Sequence, residues 1–405
     1  SSTVDSVLQI RLPVTNKLLG SGKVVFLVLL LLASSACSIQ TFPLGREKTE
    51  SNTAADRLKL LVGEEGVYRV TADDLAASAL DVSAGLAYEN VALSSGSETV
   101  PFLIEDNALV FYGQASDSRY FAERPYMLQI GQPGRAMPGS ETKSSDSSQL
   151  EQTRQTIRLE EDHNYVPEAR QDDSDVWFWS KLAQQDTFTT EFTLPFIADG
   201  ESILRFNVWG FTQNPDVEND HDFEILVNDK PSGTAVFDGQ THYSGEITLP
   251  AGILQPGVNR IMLDNRGEGA SFLDIVQVNW LELDYPAPAI AVDDRLDFIS
   301  GEGRMIINGL SDKPVVLDIS DPAHPLSLEG WLYQKDKFEL ETADGQRIAA
   351  TGPQGFLKPG LEAVHESNWL DRTHQADLII ITTSELAPAL APLVRAREAE
   401  GLNVV

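Results

Sequence analysis

The chain has 405 residues, of which 42% are hydrophobic and 22% charged, so it can form several domains with buried cores. It carries 30 basic and 61 acidic residues, which gives a formal net charge of −31. Such a charge repels phosphate backbones and anionic lipid surfaces, which argues against a nucleic-acid-binding protein. The single cysteine, Cys37, excludes an internal disulfide framework.

The N-terminus has the pattern of a secretory signal. Basic residues precede an apolar run at 24–32, and small residues come directly before Cys37. This arrangement resembles the lipobox of bacterial lipoproteins, although Ser34 stands where many lipoboxes carry leucine. The alternative is an uncleaved anchor, but the run is shorter than the roughly 20 apolar residues that span a bilayer. We therefore predict a signal peptide at 1–37, a lipid on the cysteine, a polar tether at 38–57, and a location at the cell envelope or cell surface.

A small, mostly β domain is predicted at 58–135. Apolar and polar residues alternate over 58–62, and a glycine-containing turn leads into a second apolar run, as in a hairpin. Thr71 and Asp74 have the spacing of a capping box, which predicts a short helix. Further strands are predicted at 91–93, 100–104 and 108–112.

The next segments predict a linker and two further β modules. Residues 136–175 are rich in Gly, Pro, Ser, Gln and acidic residues and have little periodicity, which predicts a linker. Alternation then returns at 204–208 and 223–227, with turn residues between the runs. This spacing predicts a jelly-roll-like antiparallel sandwich over 176–286. Short strands also predict another β module over 287–370.

The C-terminal residues have a different pattern. Residues 377–382 form a continuous apolar, β-branched run, which is typical of a strand buried on both faces of a parallel sheet. A helix is predicted over 385–400, with a late start or a kink because Pro388 and Pro392 lie in it. A glycine and a second strand follow. The segment 375–405 is therefore predicted to begin a doubly wound α/β domain that continues in the natural protein.

Several segments together resemble gingipain-type cysteine peptidases. Residues 376–382, the helix ending at Gly401 and the strand 402–405 resemble the start of the catalytic domain of that family. Upstream segments resemble its β modules in the same order: Gly66–Val70, Phe111–Gly113, Trp177–Trp179, Val227–Asp229, Gly257–Asn259, Phe272–Asp274 and Val316–Pro322. The resemblance covers roughly 58–405.

This resemblance implies a caspase-like fold and proteolysis of protein or peptide substrates. In the family, a histidine polarises a cysteine thiol, which attacks a peptide carbonyl. Both residues lie downstream of the first β-α-β unit, so no catalytic residue is expected in this chain. The β modules would then be accessory domains or pro-domains. Apart from calcium, considered next, no cofactor is predicted.

Four acidic residues alternate in the predicted sandwich, which suits calcium binding: Asp216, Glu218, Asp220 and Asp222. The segment lacks a glycine at the loop turn and a distal bidentate glutamate, so a solvated loop is the alternative. His365 and His374 are nine residues apart, which matches no standard metal pair, and linker histidines are the preferred interpretation. Acidic residues at 172, 173 and 175 are interpreted as a solvated run.

Aromatic residues suggest a second hypothesis. Trp177, Trp179 and Trp209 would suit a sugar-binding platform, although core packing is preferred because Trp209 continues an alternating strand. Residues 94–97 lack the strand–turn–helix context of a hydrolase elbow. The leading hypothesis is the N-terminal part of an exported, lipid-anchored cysteine peptidase. The alternative is a non-catalytic surface lipoprotein whose sandwich binds glycan or protein.

Overall fold

The computed structural model describes residues 56–116, 118, 121–141, 148–170, 175–266, 273–334, 337–364 and 375–405. These residues belong to one compact unit, Thr53–Val405, and the predicted fold class, mainly β, is confirmed. The predictions for Cys37, the signal peptide and the tether up to residue 55 lie outside the described residues, as do His365, His374, Asp172 and Asp173.

The N-terminal module contains one five-stranded sheet and one four-stranded sheet, which pack around one apolar core. Its first strand buries Leu58, Leu60 and Val62 on one face, as the alternation predicts. The capping box is present, because the Thr71 hydroxyl accepts from the Asp74 N–H at 3.1 Å. The elements are β1 (Arg57–Val62), β2 (Gly66–Thr71), α1 (Ala72–Ala77), β3 (Val91–Ser95), β4 (Glu98–Thr99), β5 (Pro101–Glu105), β6 (Ala108–Gly113), β7 (Arg124–Ile130) and β8 (Arg135–Ala136).

The predicted linker at 136–175 contains secondary structure. Its elements are β9 (Gly139–Glu141), β10 (Gln149–Leu150), β11 (Thr153–Glu160), β12 (Asn164–Tyr165) and a 3-10 turn (Pro167–Ala169). The linker prediction is wrong for β11, which pairs along its whole length with a sandwich strand. Ile157 and Leu159 on β11 pack against the sandwich core, and their alternation was obscured by the many polar neighbours.

Two antiparallel sheets form the predicted sandwich. Their strands are β14 (Ser180–Ala183), β15 (Thr187–Leu194), β16 (Ser202–Gly210), β17 (His221–Val227), β18 (Lys230–Phe237), β19 (His242–Leu249), β20 (Gly257–Asp264) and β21 (Ile275–Ala287). The short β13 (Trp177–Phe178) pairs with β12 in a separate two-stranded sheet. One sheet has the order β15-β20-β17-β18, and the other places β16 between β19 and β21. Phe206 and Phe223 face each other across the core at 5.9 Å.

The following strands join the sandwich to the N-terminal module. They are β22 (Arg295–Ile299), β23 (Gly303–Asn308), β24 (Val315–Asp318), β25 (Leu326–Glu329), β26 (Leu332–Gln334), β27 (Lys337–Thr342), β28 (Arg347–Thr351) and β29 (Gly360–Ala363). Strand β22 pairs with β11, so the sandwich sheet continues into this module. Strand β29 pairs antiparallel with β1 at the N-terminus. The predicted module at 287–370 is therefore not separate from its neighbours.

The C-terminal segment contains the predicted helix, but an isolated parallel bridge stands in place of the two predicted strands. Its helix, α2 (Ala387–Ala399), starts two residues later than expected, with Pro388 in the first turn and Pro392 inside. Leu378 and Val404 form a parallel bridge. The predicted burial of the first strand is not seen, because Ile379 is 61% exposed and Ile381 is 94% exposed. Neither described helix is long and apolar enough to cross a membrane.

Candidate functional site

Loops at one end of the sandwich surround a buried histidine, His221. This residue begins β17, and its side chain is completely buried. Its Nδ1 atom lies 2.6 Å from Asp274 Oδ1, and its Nε2 atom lies 3.1 Å from the carbonyl oxygen of Thr212. The Phe237 ring stacks on the imidazole at 4.5 Å between ring centres. Contacts on both ring nitrogens and on the ring face fix the orientation of the imidazole.

Two buried carboxylates flank this ring, and each accepts further hydrogen bonds. The second oxygen of Asp274 accepts from the Asn265 side-chain amide at 2.8 Å. Asp220 accepts from the backbone N–H of Gly239 at 2.8 Å and from that of Asn214 at 2.6 Å. One Asp220 oxygen also lies 3.4 Å from the histidine Nε2. All four carboxylate oxygens therefore act as hydrogen-bond acceptors.

A glycine on the neighbouring strand makes room for the ring. A Cβ atom at Gly210 would lie 2.5 Å from His221 Nε2 and 2.2 Å from the carbonyl oxygen of Gly239. Real Cβ atoms do not approach other heavy atoms so closely, so any larger residue at this position displaces the histidine or the loop at Gly239. Glycine fits at this position because it has no side chain.

The environment of His221 favours a positively charged ring. Burial alone would lower the pKa of His221, but the hydrogen bond and charge of Asp274, followed by the charge of Asp220, raise this pKa above its ordinary value. The carbonyl oxygen of Thr212 can only accept, so its contact with Nε2 also requires a proton there. Because the ring is buried and both N–H groups are occupied, the arrangement joins loops and offers no free base for catalysis.

The four predicted calcium ligands are not brought together. Asp220 is buried and engaged as described, whereas Asp216, Glu218 and Asp222 are exposed. Asp222 lies on β17 opposite Val236. Calcium at these residues stays a prediction that this geometry does not support.

One group of three carboxylates has ligand atoms within 4.8 Å of one another in the part of the chain that the structure describes: Glu160, Asp162 and Asp175. Partial desolvation raises the pKa of Asp162, and the charges of Asp175 and Glu160 raise it further. Glu160 pairs with Arg158 at 2.7 Å, and Asp175 accepts from the Trp177 N–H at 2.9 Å. Glu160 and Asp162 are exposed, so this group alone does not define a metal site.

The three predicted platform tryptophans lie in three different surroundings. Trp209 is 1% exposed and packs against Phe178, with ring centres 6.1 Å apart. Trp179 packs edge-to-face on Phe188 at 5.0 Å. Trp177 is half-buried and contacts Tyr165, which is 51% exposed. Core packing, the preferred interpretation, therefore holds for Trp209, and Trp179 is partly buried against the sandwich core. Trp177 instead packs beside an exposed ring.

Sequence reasoning missed the histidine cluster. It selected Asp220 for its alternation with other acidic residues, but it gave no role to His221 or to Asp274. These two residues are 53 positions apart in sequence, and no local motif links them. The signal that was available is an apolar strand, β17, that begins with a histidine flanked by aspartates.

Comparisons with known proteins reveal similarity in structure only. No protein-family model and no curated protein matches this chain. The crystal structure of dimeric latent PorU from Porphyromonas gingivalis is similar, with a TM-score of 0.60 and 16% identity. It matches 87% of this chain, and the chain spans 37% of the PorU structure.

Other similar structures match much less well. The carbohydrate-binding module CBM36 in complex with calcium and xylotriose has a TM-score of 0.21 and 10% identity, and it covers 32% of this chain and 98% of its own. The plant receptor-like kinase FER has a TM-score of 0.24 and 10% identity, and it covers 59% of this chain and 80% of its own. These scores support no inference about this chain. The comparisons therefore show that the chain shares its mainly β fold with the matching part of PorU.

Proposed function

We propose that this chain forms the β modules and the beginning of the α/β domain of an exported cysteine peptidase related to gingipains. The observation that carries the proposal is the fold similarity to PorU, a protease-related protein, across 87% of the chain. The order of segments that resemble gingipains agrees with it. Under this proposal the substrates are proteins or peptides, and the β modules are accessory domains or pro-domains.

The exposed C-terminal unit supports an α/β domain that extends further. Parallel sheets are normally covered by helices on both faces. Here Ile379 and Ile381 are largely exposed, and the helix α2 has no buried residue. Additional strands and helices would remove these apolar side chains from water, at roughly 25 cal/mol for each Å² buried.

The catalytic dyad would come from residues beyond Val405. His221 has both ring nitrogens engaged in the sandwich, and Cys37 belongs to the proposed export signal. A dyad needs a thiol within hydrogen-bonding reach of a free imidazole. Neither residue fits that role in this proposal.

Activity of the complete gene product tests the peptidase proposal. Cleavage of a denatured protein substrate should be abolished by a thiol-alkylating reagent and retained in the Cys37→Ser variant. The 405-residue chain, assayed in parallel, should show no thiol-dependent cleavage. Alkylation-sensitive cleavage by the 405-residue chain would place the dyad within it and contradict the proposal.

A lipid anchor on Cys37 is proposed for the attachment of the protein to the cell envelope. The small residues before the cysteine and the short apolar run support it. In cells fed a labelled fatty acid, the wild-type protein should carry the label and fractionate with membranes. The Cys37→Ser variant should lose the label, and a labelled Cys37→Ser protein would refute lipidation at this residue.

The alternative is a non-catalytic surface lipoprotein whose sandwich binds glycan or protein. The exposed Tyr165 ring beside Trp177 favours it, since aromatic faces of this kind stack on sugars. Binding to a panel of polysaccharides that is lost in Tyr165→Ala, with the exposed Phe121→Ala as a control, would support this alternative. Absence of binding would leave the peptidase proposal as the single candidate.

A further inference from the structure

We propose that the antiparallel pair β12–β13 covers a binding site for a neutral sugar on the outer face of a sandwich sheet. The cover consists of residues 163–169 and 176–178. This inference rests on the alternative that the sandwich binds glycan, and it places the site beneath the cover instead of at Tyr165. It is independent of the peptidase proposal.

The site lies on the face of the sheet that points away from the sandwich core. Val208, Val276 and Val278 pack into that core, so their neighbours along the strands point to the opposite face. On that face, Trp209 of β16 lies directly opposite Gln277 of β21. Trp209 is 1% exposed and Gln277 is 5% exposed, so both are covered although they lie outside the core.

Three buried polar atoms on this face lack a hydrogen-bond partner among the described residues. They are Trp209 Nε1, Gln277 Oε1 and Asn279 Oδ1, and Asn279 is 4% exposed. The side-chain amide of Asn279 donates to Asn207 Oδ1 at 3.0 Å, which holds this amide in place. Buried polar groups are normally paired. One unpaired donor and two unpaired acceptors on neighbouring strands therefore indicate a ligand that supplies both kinds of group.

The chemistry of these atoms identifies the ligand class. A hydroxyl group can accept from the indole N–H and donate to an amide oxygen, whereas a carboxylate only accepts and an ammonium group only donates. All three groups are uncharged, and Arg205 on the same face is already paired with Glu246 and Glu282. An indole ring beside amide groups suits a sugar, because the flat ring packs on the apolar face of a pyranose. A neutral sugar therefore fits this face better than an ion.

The cover occupies the place of the ligand. Val166, Ala169 and Phe178 pack with Trp209 in a cluster that is separate from the sandwich core. The ring centres of Phe178 and Trp209 are 6.1 Å apart, and the Ala169 carbonyl oxygen lies 3.1 Å from His242 Nε2. Strands β12 and β13 pair with each other in their own sheet, and a two-stranded unit of this kind is marginally stable alone. The cover can therefore move without unfolding the sandwich, and a bound sugar would replace its contacts with Trp209.

Calorimetric titration of the 405-residue chain with cellohexaose, xylohexaose and mannohexaose tests the site. Apparent affinity scales with the fraction of molecules whose site is open, so Phe178→Ala should bind at least one of these sugars about tenfold more tightly than the wild type. Adding Gln277→Leu should abolish this binding without lowering the unfolding midpoint, because an apolar group replaces an unpaired buried polar atom. Adding Tyr165→Ala instead is the control, since this exposed side chain lies outside the site, and it should leave the affinity unchanged. Val166→Ala takes the place of Phe178→Ala if that variant does not fold.

Hydrogen exchange detected by mass spectrometry measures the movement of the cover. Bound sugar should speed exchange at 163–169 and 176–178, because it displaces these residues from the sheet. No sugar binding by the variant with the weakened cover, or binding that survives Gln277→Leu, would overturn the proposal, as would slower exchange in the cover. Binding that is lost in Tyr165→Ala and kept in Gln277→Leu would also overturn it, while leaving the glycan alternative intact.

Discussion

Leu317 lies in a core that the N-terminal module shares with the module of β22–β28. It is completely buried on β24. Val67 and Val110, from the N-terminal module, pack in the same cluster. Replacing Leu317 by alanine removes buried methyl groups and leaves a cavity, which costs about 2 to 5 kcal/mol in protein cores. Because the cluster belongs to both modules, we expect Leu317→Ala to destabilise both.

Hydrogen exchange resolved by segment measures this effect. A chain of several modules need not unfold in one step, so local opening is more informative than a single unfolding midpoint. Exchange in β2 and β6 should rise together with exchange in β24. Leu332→Ala is the matched control: Leu332 is 58% exposed, and surface substitutions usually change stability by within about 0.5 kcal/mol. Faster exchange confined to β24, with β2 and β6 unaffected, would refute a shared core.

Three further predictions test local features. Thr71→Ala removes a capping-box hydroxyl and should cost about 1 kcal/mol, seen as faster exchange in α1; an unchanged rate would mean that the cap is not formed in solution. Gly245→Ala would place a Cβ atom 2.2 Å from Phe206 Cζ. The free energy of unfolding, measured with denaturant, should therefore fall by about 1 to 3 kcal/mol. The control Gly63→Ala, with no atom closer than 4.0 Å to the added Cβ, should behave as wild type. Asp220→Asn should lower the thermal midpoint equally in calcium and in chelator, because its oxygens accept backbone N–H groups; a loss seen only with calcium would instead identify this carboxylate as a calcium ligand.

Local sequence patterns predicted those elements that are determined by residues close to one another in the chain. The alternation over 58–62 and the capping box at Thr71 both depend on neighbouring residues, and both are present. The sandwich strands were predictable for the same reason. Strand β11 was missed because its apolar residues alternate within a polar segment, where composition outweighed periodicity.

Long-range pairing was not predictable from these patterns. Leu60 pairs with Leu361, and nothing in either short run indicates the other as its partner. The contact between His221 and Asp274 was equally unpredictable, since it depends on how β17 and β21 are placed in the sandwich. Ile381 lies in an apolar run that predicted a buried parallel strand. The structure has only an isolated parallel bridge at Leu378 in this run, and Ile381 is 94% exposed.

Mapping of the reactive cysteine tests the central claim most directly. The complete gene product would be treated with a substrate-like alkylating peptide, digested, and analysed by mass spectrometry to locate the modified thiol. The account predicts a single modified cysteine beyond Val405, with loss of proteolytic activity in proportion to labelling. Modification and inactivation at Cys37, or an intact protein with no reactive cysteine and no peptidase activity, would contradict it.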